Sequence, residues 1–82
     1  MPRSVLITPR ARRDLRHIPH ADRSQLLERI ESYAATGAGD VATLKGPPGN
    51  FRLRWGNWRV LFAVSGEVMT VKRVRHRREV YR

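Results

Sequence analysis

The dipeptide Gly56-Asn57 does most to constrain what this chain can become. It separates two runs of strand-forming residues, Phe51-Arg52-Leu53-Arg54-Trp55 and Trp58-Arg59-Val60-Leu61-Phe62-Ala63-Val64. Gly-Asn between such runs reads as a two-residue hairpin loop of the primed type. The first run alternates apolar and basic residues, the period of a strand with one buried face. A two-residue loop sets Trp55 opposite Trp58 and Arg54 opposite Arg59. Opposed residues share a face, and so do residues two apart on one strand. Arg52, Arg54 and Arg59 therefore converge on one side of the hairpin, while Phe51, Leu53 and Trp55 turn the other way, toward a core. Ser65-Gly66 reads as a second two-residue loop, after which residues 68–74 form a strand. That register brings Lys72 opposite Arg59.

The first half of the chain is helical. Residues 3–7 read as a short strand. Thr8-Pro9 is a helix start, with Thr at the N-cap and Pro at the first helical position. A helix over 9–17 places Ala11, Leu15 and Ile18 on one face, and Pro19 breaks it. A second helix over 20–36 carries Leu26, Leu27, Ile30, Tyr33 and Ala34 as an amphipathic stripe, with Gly37 as its C-cap. Residues 37–50 are a Gly- and Pro-containing connection within the domain, docked at Ala42-Thr43-Leu44 and looping through Lys45-Gly46-Pro47-Pro48-Gly49-Asn50. The expected order is β-α-α-β-β-β in a single domain over 1–82. This is an α+β fold, with a helical hairpin on one side of a largely antiparallel four-stranded sheet.

Charge narrows the function. The 82 residues carry 17 Lys and Arg against 7 Asp and Glu, a net +10, and all but Lys45 and Lys72 of those cations are Arg. Residues 1–40 hold 7 basic and 5 acidic groups, while residues 41–82 hold 10 and 2. A chain polarised in this way fits a polyanion partner, and guanidinium forks suit phosphate and stack on bases. Like charges opposed on a sheet repel, so the arginine face is either a solvated surface or a phosphate-binding one. The run Lys72-Arg73-Val74-Arg75-His76-Arg77-Arg78 leads to Tyr81. Tyr81 either stacks an unpaired base or plugs the end of the chain against the core. His76 either shuttles a proton near neutral pH or is simply exposed, and His17 and His20 at the helix junction carry little weight.

Several classes drop out. There is no cysteine, hence no disulfide and no thiolate metal site. No carboxylate cluster or His pair stands at ligand spacing, so no metal or other cofactor is expected. No apolar run approaches a membrane span and no signal-peptide core is present, which makes the cytoplasm the expected location.

From Leu44 onward the chain resembles the RelE/ParE toxin superfamily. The resemblance rests on Leu44-Lys45-Gly46, Phe51-Arg52-Leu53-Arg54, Trp58-Arg59-Val60-Leu61-Phe62 and Val74-Arg75-His76-Arg77-Arg78-Glu79-Val80-Tyr81. Ala11-Arg12-Arg13-Asp14-Leu15 and the two helices are similar in layout. The resemblance implies a RelE-like fold and a toxin of a type II toxin–antitoxin system. It leaves two activities: an endoribonuclease that cuts mRNA, usually in the ribosomal A site, or a DNA gyrase inhibitor without nuclease chemistry. A basic residue at each place that the ribonuclease branch needs one, and the terminal Tyr, favour the first. A plain RNA-binding module is the third reading.

Ribonuclease chemistry in that branch is attack of a 2′-OH on the adjacent phosphate with departure of the 5′-oxygen. By resemblance, Arg52 and Arg54 stand near the 2′-OH and the phosphate. Arg59 stabilises the phosphorane, Arg77 is the acid or phosphate ligand, and Tyr81 orients the base. A slip of alignment would give Arg75 the role of Arg77. Lys45, Lys72, Arg75, His76 and Arg78 are the expected RNA-binding residues. Arg does not readily give up a proton, so the general base is His76, Lys45 or absent. The implied partners are mRNA, the ribosome and an acidic antitoxin that folds on binding. That antitoxin wraps the helical hairpin or covers the basic face, and any oligomer forms only through its complex.

Overall fold

The computed structural model describes residues 2–80. In chain order they form β1 (Ser4–Ile7), α1 (Pro9–Arg16), α2 (His20–Thr36), β2 (Val41–Thr43), β3 (Asn50–Trp55), β4 (Trp58–Ser65), β5 (Val68–His76) and α3 (Arg77–Val80). The sheet order is β1-β5-β4-β3-β2. β1 runs parallel to β5, and the other pairs are antiparallel.

Local signals explain the helix limits. Thr8 is extended, and its hydroxyl accepts from the Ala11 N–H at 3.1 Å, which satisfies one of the helix's free first-turn donors. Arg16 ends α1, and Ile18 is buried within the connection rather than on the helix. Pro19 permits a new start at His20, and α2 ends where the Gly37 N–H bonds the Tyr33 carbonyl. Both helices lie on one face of the sheet. Their Ala11, Leu15, Leu26, Ile30 and Ala34 pack with Leu53, Val60, Phe62, Met69, Val71 and Val74 from the strands. Phe62 is the largest fully buried side chain. Tyr33 tilts against it at 5.3 Å and Phe51 stacks on it at 5.5 Å.

The class is the expected α+β, but the sheet has five strands rather than four. Val41–Thr43 pairs with Leu53, Arg52 and Phe51 as an edge strand. Three residues are too few for an alternating pattern to announce a strand.

The first hairpin has the expected register, with Trp55 opposite Trp58 and Arg54 opposite Arg59. The second differs. Its loop is Gly66-Glu67, with Ser65 paired to Val68. In both turns glycine comes first and has positive φ, 56° at Gly56 and 58° at Gly66. A Gly-first turn of the II′ kind requires this arrangement, and it would have placed the second loop correctly. A bulge between Leu61 and Phe62 then shifts the register once more, so Arg59 faces Arg75 and not Lys72.

Candidate nucleic-acid interface

Strand alternation sends the arginines to the side of the sheet away from the helices. The paired positions Arg54, Arg59 and Arg75 form a row across β3, β4 and β5. Beside it runs a second row, Arg52, Leu61 and Arg73. Cα atoms of directly opposed residues stand about 4.5–5.5 Å apart, so this face concentrates positive charge over a distance comparable to one nucleotide.

Arg59 occupies the centre. It is only 5% exposed. Its Nη1 donates to the carbonyls of Gly56 and Trp58, each at 2.9 Å, which draws the side chain over its own turn. Among the described residues no carboxylate lies within 4.0 Å of it. The Nε atoms of Arg59 and Arg52 are buried and find no hydrogen-bond partner there. A buried charge held only by neutral carbonyls is costly, and an incoming anion relieves that cost.

The neighbouring arginines are anchored in different ways. Arg54 pairs with Asp40 at 2.7 Å, both more than half exposed, a pair that an RNA phosphate can replace at small cost. Arg75 pairs with Glu79 of α3, four residues on, at 3.2 Å. Arg73 reaches around to Asp14 on α1, 2.8 Å from Nε to Oδ2 and 3.4 Å from Nη2 to Oδ1. The Val74 N–H also donates to Asp14 Oδ2, at 2.9 Å. Burial pushes the Asp14 carboxyl upward. The hydrogen bonds from Arg73 and Val74 and the charges of Arg73 and Arg75 outweigh it, holding the group below the usual carboxylate range. The hydrogen bond to Asp14 raises Arg73 in turn.

The remaining sequence-derived candidates divide. Lys72 extends across the outer face to Asn50 Oδ1 at 3.1 Å, away from its expected place opposite Arg59. Lys45 is exposed in the loop before β3, and Arg77 and Arg78 are exposed on α3. The Arg77 N–H bonds the Asn57 carbonyl at 2.7 Å, which docks α3 beside the turn that Arg59 straddles. His76 is not with the arginines. It pairs in register with Trp58 and meets that indole edge-on at 5.3 Å, on the helix side, where it accepts from the Arg78 N–H. There a cleft of about 300 Å³ is lined by Asp14, His17, Trp58, Val74, His76 and Glu79. Tyr81 lies outside the described residues.

Asp14, Arg73 and the bond from Trp58 Nε1 to Asp22 at 3.2 Å were not singled out from the sequence. One signal for Asp14 was there: it is the sole acid in α1, among four arginines.

Three comparisons with known proteins bear on these features. The family model described as the ParE toxin of type II toxin–antitoxin systems matches residues 5–81. Toxin RelE3 of Methanocaldococcus jannaschii is 30% identical over 74 residues, covering 84% of each chain. A chain of the RelB–RelE antitoxin–toxin complex from Methanococcus jannaschii superposes with a TM-score of 0.79 at 28% identity, covering 93% of this chain and 94% of that one. A chain of the RelBE2 toxin–antitoxin complex from Mycobacterium tuberculosis gives 0.81 at 25% identity, covering 93% and 99%.

Proposed function

The chain belongs to the RelE/ParE superfamily of type II toxin–antitoxin toxins, and from that premise we propose that it is a metal-independent endoribonuclease that cuts mRNA on the ribosome. The observation that carries the proposal is the Arg54–Arg59–Arg75 row, with a buried guanidinium at its centre that no carboxylate of the described residues pairs.

The chemistry is transesterification. A ribose 2′-OH attacks the adjacent phosphorus and gives its proton to solvent water, a 2′,3′-cyclic phosphate forms as the P–O5′ bond breaks, and the 5′-oxygen leaves with a proton taken from water. Arg59 stabilises the dianionic phosphorane, a contribution that grows as charge develops. Arg54 and Arg52 hold the entering side, and Arg54 exchanges Asp40 for the substrate. Arg75, opposite Arg59 in register, fits the phosphate-ligand role better than Arg77, which sits on α3. Arg77 and Arg78, with Lys45 and Lys72, then serve the flanking phosphates. Arginine is a poor base, and His76 points to the other side of the sheet. Catalysis on this face is therefore electrostatic and positional, with Tyr81 stacking the base. Such a site turns over slowly, and an ordered messenger in a ribosome helps it most.

The partner of this toxin is an acidic antitoxin. The related chains above were crystallised as antitoxin–toxin complexes, and the net +10 of this chain gives an acidic segment its counter-charge.

The test is controlled expression followed by mapping of RNA 5′ ends across translated messages, in the wild type and in a folded Arg59→Ala, Tyr81→Ala variant. New ends inside codons, lost in the variant, are expected. The name of the matching family model supports a second reading, a DNA gyrase inhibitor. Growth arrest with unchanged message ends and trapped DNA breaks would put that reading first.

A further inference from the structure

β5 is supported along only part of its outer edge. β1 pairs with it from Ser4–Val68 to Ile7–Val71, and Thr8 adds two bonds, its N–H to the Val71 carbonyl and its hydroxyl to the Lys72 carbonyl at 3.2 Å. There the chain turns into α1, and the second half of β5 loses its neighbour. This unsupported half begins just past the bulge and carries Arg73 and Arg75. A backbone donor at such an edge would otherwise lie open.

Asp14 fills the gap. It projects from α1 between Ala11 and Leu15, both buried against the sheet, so its own backbone is fixed. One oxygen takes both the Val74 N–H and Arg73 Nε, and the other meets Arg73 Nη2. Its side chain is 18% exposed and that of Arg73 26%, so the pair is well shielded from solvent. Sixty residues of sequence separate Asp14 from Val74, and the contact joins the helical layer directly to the end of the strand.

We propose that Asp14 is a positioning residue. Its carboxylate replaces the missing edge strand beyond Val71, and it fixes the end of β5 so that Arg75 stands beside Arg59. The catalytic part of this inference rests on reading the Arg54–Arg59–Arg75 row as the RNA-cleaving face. Asp14 touches no substrate. It acts through Val74 and Arg73 on the residue that follows them, and through β5 on the start of α3.

The full chain serves for the test, with three variants and two readouts. One readout is steady-state cleavage of a defined message on programmed ribosomes. The other is amide hydrogen exchange, residue by residue. In Asp14→Ala, kcat falls about tenfold while KM stays within about twofold, since misplacing a phosphate ligand acts mainly in the transition state. Exchange at Val74 and its neighbours quickens on the order of tenfold, with the amides of Val60 and Val71 unchanged. Asp14→Asn keeps an acceptor for the Val74 N–H and recovers kcat to within about threefold of the wild type. Arg73→Met, which leaves the Val74 bond intact, behaves like Asp14→Asn. Unchanged kcat and unchanged exchange at Val74 in Asp14→Ala would overturn the proposal. So would a uniform rise of exchange across the whole sheet, with no recovery in Asp14→Asn, since that describes a contributor to global stability only. A wild type that cuts no RNA would remove the ribonuclease reading. Exchange then decides the case of Asp14 alone: local quickening upholds it and its absence overturns it.

Discussion

β3, β4 and β5 have two faces built from alternate residues of the same strands, and the two faces solve opposite problems. Toward the helices stand Leu53, Val60, Phe62, Val71 and Val74, dry and in mutual contact. Toward the other side stand Arg52, Arg54, Arg59, Arg73 and Arg75. Removing the first set from water is favourable and drives folding. Bringing the second set together is unfavourable and needs support from elsewhere. Carbonyls of the β3–β4 turn hold Arg59, and Asp40, Asp14 and Glu79 hold Arg54, Arg73 and Arg75. Among the described residues the acids sit at the rim and leave the centre of the row without one. A surface selected only for stability would place an acid there or remove the charge. Stability thus resides on one face and the concentrated positive charge on the other, separated by the thickness of a strand.

This division can be broken from either side. The largest effect is expected at Phe62, fully buried between Tyr33 and Phe51. Phe62→Ala should cost about 3–5 kcal/mol, enough to unfold much of a domain this small, and chemical denaturation measures it. Arg59→Ala should do the reverse. RNA cleavage falls about 10²–10³-fold, the usual loss for one donor to a developing oxyanion. Each of the two guanidinium bonds to the turn is worth about 1.5–3 kcal/mol, but removing the buried charge itself offsets much of that loss. If Arg59→Ala unfolds the protein as Phe62→Ala does, the two faces are not separable.

Two smaller effects sharpen the comparison. Asp14 is held below its ordinary value of 3.8, with Arg73 and Arg75 of β5 nearest in charge and His17, His76 and Glu79 lining the same cleft. A carboxylate with a depressed folded-state value contributes stability that is complete above its unfolded value. That contribution is lost as pH falls through the lowered one. The wild type should therefore lose stability below about pH 4 more steeply than Asp14→Asn, as thermal melts across acid pH will record. Lys72→Ala should lower cleavage only about two- to fourfold, because an exposed cation serving a flanking phosphate is strongly screened.

The sequence made the hairpin legible because a Gly-first turn and strict alternation admit few registers. Arg52, Arg54 and Arg59 were placed on one face from those two facts alone. The limits of α2 followed from Pro19 and Gly37 in the same way. Arg75 was named as an RNA-binding residue, but its place opposite Arg59 escaped because two register effects act between the two. One, the position of Gly66 in its turn, has a chemical signature. The other, the bulge opposite Leu61 and Phe62, has none in the residues themselves. His76, expected among the RNA-binding residues, instead pairs in register with Trp58. Asp14 acts across the gap between layers, and no periodicity within one element reports such a contact.

The proposed role of this arginine face is RNA cleavage by 2′-OH attack. The most direct measurement is the chemistry of the ends left on a message cut by the purified chain. The account predicts a 2′,3′-cyclic phosphate or its 3′-phosphate on one fragment and a 5′-hydroxyl on the other, both absent with Arg59→Ala. Fragments bearing a 3′-hydroxyl and a 5′-phosphate would mean that water attacked instead, and would contradict it.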